Sequence, residues 1–214
     1  MVHGAEMTSP FASLSVVQGV AIEAGRHLTV RDGRETRSIG LYNAAEKSFA
    51  GVLGGRSPFP GVAQSPLFLR PQIYEISGDG GEVGAFRAPV TDPKLVRWNN
   101  RARVNSIDRS QGVTLDWTPA RPEDSVVITA MNINGVSGAL GVCECVAPAR
   151  AGHFTIPAAA LTNIPTTTGG DSLPLNLLLI SEFPGQAPEP FTASGLDRGF
   201  AFFFSTSARS VDYR

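Results

Sequence analysis

The stretch Gly112-Val-Thr-Leu-Asp-Trp-Thr-Pro119 decides the fold that we expect for this chain. Its apolar residues Val113, Leu115 and Trp117 alternate with polar ones, which is the period of a strand with one buried and one solvated face. A glycine before the run and a proline after it mark its two ends. The Trp117 ring brings a large apolar surface that neighbouring strands have to cover. We therefore expect Trp117 to lie in the core of a β-sheet protein.

The composition extends this expectation to the whole chain of 214 residues. Apolar residues make up 42%, which is enough for a core, and 23 glycines and 16 prolines separate the short apolar runs. Strand-like runs divided by turn residues are typical of all-β proteins. We predict an all-β fold of two β-sandwich-like halves of the immunoglobulin or fibronectin kind, with one short helix. The boundary is placed at Asp92-Pro93, between an N-terminal β-rich module with a flexible lead-in (1–92) and a C-terminal β-sandwich module (93–214).

Two hairpins and one helix are predicted in particular. Asp32-Gly33 is a strong hairpin turn after the alternating residues 26–31. The glycine-rich residues 78–81 join two further strand-like runs, at 72–77 and 82–87. Apolar residues lose their period of two at 157–161, where a proline in the first turn favours a short helix.

The run Phe200-Ala-Phe-Phe-Phe-Ser-Thr206 near the end of the chain is rich in phenylalanine. In a strand, Phe200, Phe202 and Phe204 share one face, and Phe203 lies on the other. We interpret the run as a single strand that is buried on both faces.

Charge and hydropathy exclude two classes of partner. The formal net charge is −1, whereas nucleic-acid binding needs a basic surface. No uninterrupted apolar run reaches the roughly 18 residues of a membrane-spanning helix. The start of the chain lacks the charged-then-apolar order of a signal peptide. We expect either a cytoplasmic protein or a fragment whose export signal lay upstream.

Cys143 and Cys145 are the residues that could suggest a metal or redox site. Two residues apart in a strand, they point to the same face at a spacing of about 6.6 Å, too far for a disulfide unless the strand breaks there. Two thiolates make half of a zinc site, and His153 is the nearest possible third ligand. We interpret the pair as small buried or half-buried thiols and predict no metal and no cofactor. In an exported protein, an unusual reactivity or an intermolecular bridge stays open.

The sequence contains no motif for nucleophilic catalysis. There is no Gly-x-Ser-x-Gly, and the three histidines show no local motif. The paired carboxylates Glu123-Asp124 lie in a proline-flanked turn, where we expect solvated charges. We predict that the chain is not an enzyme and has no catalytic residues, although a triad dispersed along the sequence stays open.

Trp98 is the best candidate for an exposed aromatic ring, because the polar run Asn99-Asn100-Arg101 follows it. An exposed tryptophan with polar neighbours could serve as a stacking platform for a sugar. We therefore predict ligand-binding residues at Trp98, Asn99 and Arg101, with a core position for Trp98 as the alternative.

Several short runs follow one another along the chain in a characteristic order. They are Val83-Gly-Ala-Phe86, Trp98-Asn99, Val104, Asp108-Arg-Ser-Gln-Gly-Val-Thr114, Trp117-Thr118, Cys145-Val-Ala-Pro148, Ala151-Gly-His-Phe-Thr-Ile-Pro157, Leu161, Pro165 and Phe191-Thr-Ala-Ser-Gly-Leu-Asp197. This order resembles the C-terminal region of a large group of uncharacterised secreted proteins from Acidobacteria (Solibacter-like). The resemblance spans roughly residues 20 to 214 and is dense after 75. It implies an exported β-rich module and carries over no catalytic residue. The chain departs from the group at Pro119-Ala120, where Gly-Gly is usual, and at Cys143, an addition to the usual single cysteine.

The resemblance and the missing catalytic motifs lead to one functional expectation. We expect a non-catalytic extracellular module for surface attachment or protein interaction, secreted or in the cell envelope, and part of a larger exported protein. Its partner would be a protein or a glycan at the cell surface. The alternative is a carbohydrate-binding accessory module, and a hydrolase comes third.

Overall fold

Alternating segments of the sequence form antiparallel strands in the computed structural model, which describes residues 22–45, 47–49, 68, 73–90, 95–167, 176–201 and 204–214. The predicted all-β fold with sandwich-like sheets is confirmed. The strands are β1 (His27–Arg31), β2 (Thr36–Asn43), β3 (Ser48–Phe49), β4 (Tyr74–Gly78), β5 (Phe86–Val90), β6 (Arg97–Trp98), β7 (Ser106–Ile107), β8 (Val113–Thr118), β9 (Ser125–Ile133), β10 (Leu140–Pro148), β11 (His153–Ile156), β12 (Leu177–Phe183), β13 (Glu189–Phe191), β14 (Gly199–Ala201), β15 (Ser205–Ser210) and β16 (Asp212–Tyr213). A short helix, α1 (Ala158–Leu161), and two 3-10 turns, η1 (Arg101–Arg103) and η2 (Ala149–Ala151), complete the described elements.

The N-terminal sheet has five strands in the order β3-β2-β1-β4-β5. Both predicted hairpins are present, since β1 pairs with β2 and β4 with β5 in antiparallel register. In the first turn, the Asp32 carboxylate accepts hydrogen bonds from the backbone N–H groups of Arg34 and Glu35 at 2.9 and 2.6 Å. The second return strand begins at Phe86 rather than at residue 82, because Val83 is buried in the loop and its N–H donates to the carbonyl of Glu23.

The C-terminal half contains a four-stranded sheet, β10-β9-β12-β15, and a three-stranded sheet, β11-β8-β6. Residues from both sheets form one buried cluster, so their apolar faces meet. Trp117 lies in this cluster with 2% of its surface exposed, which confirms the core position predicted for it. The buried side chains of this core come from β8 (Leu115, Trp117), β9 (Val126, Ile128, Ala130), β10 (Cys143, Cys145, Ala147), β11 (Ile156) and β12 (Leu178, Ile180), among others.

Two local features explain how the chain enters and leaves this core. Gly112 starts β8 at φ +82°, and a Cβ atom there would lie 2.5 Å from the Ile156 carbonyl oxygen. Only glycine combines this conformation with so close an approach. The predicted helix is also confirmed, because α1 follows Pro157 and buries Leu161 completely.

The hairpin β13–β14 lies against the N-terminal sheet rather than in the C-terminal core. Ala201 belongs to the buried cluster of that sheet, and the Phe191 ring stacks on Phe86 at 4.9 Å between centroids. The predicted boundary at Asp92-Pro93 lies outside the described residues, as does the predicted lead-in at the start of the chain. A segment C-terminal to that boundary thus covers part of the N-terminal sheet.

The interpretation of residues 200–206 as one buried strand is wrong. β14 ends at Ala201 and β15 begins at Ser205, in a different sheet. In β14, Gly199 and Ala201 face inward, so the period of two turns Phe200 outward, where it is 53% exposed. Phe204 is 47% exposed, while Phe202 and Phe203 lie outside the described residues.

Candidate functional site

Trp98 is not the exposed ring that the sequence predicts. Only 6% of its surface is exposed, and its indole N–H donates to Asn100 Oδ1 at 2.7 Å. The reason is the register of β6 on β8, which places Trp98 opposite Trp117 and turns both rings to the core. A sugar could not stack on Trp98 without opening the sandwich.

Asn100, which the sequence reasoning did not single out, organises this corner. Its Oδ1 atom accepts from the Trp98 indole and from the backbone N–H of Asp116, and its Nδ2 group donates to the carbonyl of Thr114. A buried amide that makes three such bonds fixes β6 against β8. The sequence gives one signal for this role, which is that Asn100 follows a tryptophan at a distance of two residues.

Arg101 is also engaged in holding the fold. Its guanidinium donates to the carbonyl of Ala208 from Nε at 3.1 Å and from Nη2 at 2.7 Å. In return, Arg209 donates to the carbonyl of Arg101 at 2.7 Å. These reciprocal bonds attach η1 to β15. The structure therefore does not bring Trp98, Asn99 and Arg101 together as one site.

Asn99 lies on an exposed polar surface, the outer face of the three-stranded sheet. Its Oδ1 atom accepts from Arg97 Nε at 3.1 Å and from the Thr118 hydroxyl at 3.2 Å. The same strands present further polar side chains outward, because their apolar neighbours fill the core. We call this surface the polar sheet face: Arg97, Asn99, Thr114, Asp116, Thr118, His153 and Thr155.

His153 contributes an exposed imidazole to the polar sheet face. Its Nδ1 atom lies 3.1 Å from the carbonyl oxygen of Ala151, which can only accept, so Nδ1 carries the proton. In the neutral ring, Nε2 is then the acceptor. Asp116 lies directly opposite His153 in the ladder. Donors and acceptors of this kind can bind a polar ligand through hydrogen bonds.

The two cysteines lie elsewhere, on the core face of β10, and both are buried free thiols. His153, the third ligand considered from the sequence, is on the exposed side of the other sheet. In the part of the chain that the structure describes, no three His, Cys, Asp or Glu side chains converge as a metal site would require.

The carboxylate pair Glu123-Asp124 is only half solvated, so the expectation is wrong for Asp124. Glu123 is exposed, whereas Asp124 is buried and accepts from the backbone N–H of Gly185 at 3.0 Å. The nearby Glu182 is also buried, and it accepts from the backbone N–H groups of Ala120 and Arg121. Burial raises the pKa of Glu182, although these hydrogen bonds lower it in part. The carboxylates of Asp124 and Glu182 thus attach the 119–124 turn to the end of β12.

A second exposed surface is aromatic. The rings of Phe183 and Phe204 stack at 4.8 Å between centroids with planes only 10° apart. Phe204 is 47% exposed, and we call the stacked pair Phe183 and Phe204 the aromatic patch. Phe200 is a separate exposed ring on β14, in another sheet. The sequence contains Phe204 in a run of phenylalanines, but the strand period of that run predicted buried rings.

Comparisons with known proteins found no match: no family model, no curated protein and no solved structure is similar to the chain. Among the described residues, no helix is long and apolar enough to cross a membrane. The polar sheet face and the aromatic patch are the two exposed surfaces that can indicate a function.

Proposed function

We propose that this protein is a non-catalytic module that binds another protein through the aromatic patch. The observation that carries the proposal is that Phe204 is about half exposed and stacks on the ring of Phe183, with Phe200 as a further exposed ring four residues earlier in the chain. Single exposed apolar residues are ordinary, but aromatic residues are enriched at the centres of protein interfaces.

The energetics of association favour this role for phenylalanine rings. A ring held by stacking has few rotamers left to lose when a partner covers it, so less entropy is lost on binding. Covering a large apolar ring removes its surface from water at roughly 25 cal/mol per Å². Truncation of such an anchor residue commonly weakens binding by 2 kcal/mol or more, that is about 30-fold.

The proposed compartment is extracellular, either secreted or in the cell envelope. This part of the proposal rests on the resemblance to the secreted acidobacterial proteins, in which the chain would be a C-terminal module of the immunoglobulin or fibronectin kind. Surface attachment by such a module requires a rigid scaffold and an exposed contact surface.

The experiment compares capture of cell-surface proteins by three immobilised forms of the chain: wild type, Phe200→Ser/Phe204→Ser and Ile73→Ser. Ile73 is 65% exposed on the N-terminal side and is the matched apolar control. The expected result is saturable binding of a defined protein by wild type and Ile73→Ser, with at least about a 30-fold loss for the double variant. Equal binding by the double variant, with the circular dichroism spectrum unchanged, would overturn the proposal.

A carbohydrate-binding role is the second candidate, and the polar sheet face is the observation that favours it. Asp116 and His153 offer acceptors on one sheet surface, with Arg97, Asn99 and Thr118 beside them. Binding there would depend on hydrogen bonds without a tryptophan platform. A panel of soluble oligosaccharides distinguishes the two roles: sugar binding that is lost in Asp116→Ala and kept in Phe200→Ser/Phe204→Ser would favour the carbohydrate role.

A further inference from the structure

Cys143 and Cys145 form a closely spaced dithiol inside the C-terminal core. Both side chains lie on the inward face of β10, with 7% and 1% of their surfaces exposed. Their sulfur atoms are 3.9 Å apart, which is within contact distance. Across the ladder they face Ala130 and Ile128, so only apolar side chains on β9 lie opposite them.

Alanine or valine would fill two such core positions without any reactive group, so packing alone gives no reason for two thiols in contact. At this distance one thiol donates its S–H to the other, and either sulfur can be the donor. Such a hydrogen bond favours the thiolate on the accepting sulfur and disfavours it on the donating one. With Cys143 as the donor, the hydrogen bond lowers the pKa of Cys145 and raises that of Cys143.

We propose that Cys143 and Cys145 are a reversible redox pair that closes to a disulfide when a low-molecular-weight disulfide, such as oxidised glutathione, reaches it. In the first step, the thiolate of one cysteine attacks one glutathione sulfur and releases one glutathione thiolate. In the second, the thiolate of the other cysteine attacks the sulfur of the first and displaces the other glutathione. One disulfide is consumed and two thiols are released, so the protein dithiol is oxidised by two electrons.

Closing this bond has a structural consequence for β10. Side chains two residues apart on one face of an extended strand repeat at about 6.6 Å. A disulfide holds its two Cβ atoms about 3.5–4.5 Å apart, so the strand has to shorten around Glu144. Glu144 lies opposite Thr129 in the β9–β10 ladder. Shortening one strand of a ladder breaks its register, so oxidation loosens β10 from β9 at this point.

The strain also determines how the pair responds to its surroundings. A disulfide that distorts its strand is more easily reduced than a relaxed structural one. The pair therefore returns to the dithiol in a moderate excess of reduced glutathione. Since β10 is the outermost strand in the order of its sheet, local opening there can admit the reagent without unfolding the core.

The first measurement equilibrates the full-length protein in buffers with different ratios of oxidised to reduced glutathione. Samples are quenched with acid, unfolded and alkylated, and their masses are recorded. Oxidised wild type should lose two hydrogen atoms and resist alkylation at both cysteines, and dithiothreitol should reverse the change. Alkylation of both cysteines at every ratio, or only disulfide-linked dimers, would overturn the proposal. The result needs no variant, so it does not depend on a substitution that folds poorly.

The second measurement uses Cys143→Ala and hydrogen exchange. The variant keeps a single thiol, so it should stop at a mixed disulfide with glutathione and never show the loss of two hydrogens. In oxidised wild type, amides of residues 142–146 and their partners on β9 should exchange at least about tenfold faster, as expected for a lost ladder hydrogen bond. Unchanged exchange in a fully oxidised sample would overturn the proposed loosening of β10.

Discussion

The C-terminal sandwich and the N-terminal sheet differ in which segments of the chain bury their apolar faces. Among the described residues, the sandwich core contains twenty buried residues from two facing sheets and the segments that connect them, both tryptophans included. The corresponding cluster of the N-terminal sheet contains six, and one of them, Ala201, comes from the distant hairpin β13–β14. The sandwich supplies both of its layers from residues 96–213, whereas the five-stranded sheet has part of its cover supplied by a later segment.

The difference shows that alternation in a strand specifies a buried face without specifying what buries it. β8 alternates strongly, and the strands next to it in sequence pack over its inner face. In β5, Ala88 and Val90 also face inward, yet β13 and β14 are among the elements that contact this strand. Substitutions in the two regions should therefore differ in how much they lower the free energy of unfolding and in which strands they destabilise.

The largest effect is expected for Trp117→Ala, which removes a buried ring from the sandwich core. Truncation of a core tryptophan costs about 3–5 kcal/mol. Trp98→Ala should cost a similar amount, because that ring is buried as well and its indole N–H is bonded to Asn100. The free energy of unfolding is measured by urea denaturation, with the exposed Ile73→Ala as the control, expected within about 0.5 kcal/mol of wild type. A small loss for either tryptophan would contradict the core assignment.

An intermediate effect is expected for Phe191→Ala, which tests the cover of the N-terminal sheet. The half-buried ring stacks on Phe86, so its loss should cost about 1–2 kcal/mol, less than a fully buried ring. Hydrogen exchange should become faster at β5 and stay unchanged at β9. The matched control is Phe200→Ala in the same hairpin, which points outward and should leave both strands unchanged. Equal acceleration at β9 would mean that the two regions are not stabilised separately.

The smallest effect is a pH dependence located in the sandwich. Burial raises the pKa of Glu182 above its ordinary value of 4.5. A raised pKa means that the folded state binds the proton more tightly than the unfolded state. The stabilisation is therefore complete below about pH 4.5 and is lost as the pH rises through the raised pKa.

Glu182→Gln carries no titrating proton, so it should lack this contribution. The difference in melting temperature between wild type and variant should shift in favour of the variant as the pH rises from acid to neutral. A difference that stays constant over that range, or one that changes in the opposite direction, would show that the pKa of Glu182 is not raised. The exposed Glu123→Gln in the same turn serves as the control for the removal of a carboxylate.

Features that depend on neighbours in the sequence were predictable. The Asp32-Gly33 turn, the strand 113–118 and the helix after Pro157 each follow from short-range rules on backbone conformation and side-chain period. The inward position of Trp117 follows from the same period, because a six-residue strand establishes its own face. The buried state of the two cysteines follows from their spacing in β10.

Features that depend on pairing with distant strands were not predictable in this way. Trp98 belongs to a two-residue strand, too short to show a period, and only its register opposite Trp117 turns it inward. Asp124 is buried because Gly185, far along the chain, donates to it. Phe200 is exposed because the run divides between two sheets. The polar sheet face and the aromatic patch are assembled from such separate segments.

The sequence by itself therefore determined the class of fold, the Asp32-Gly33 turn, the short helix and the face of the longest alternating strands, since these follow from steric limits and hydrophobic period within a few residues. Only the tertiary structure decided which strands pair, which hairpin covers the N-terminal sheet and which aromatic rings stay in water. Those outcomes depend on free energies summed over contacts between residues about 10 to 100 positions apart, and no local pattern of side chains encodes that sum.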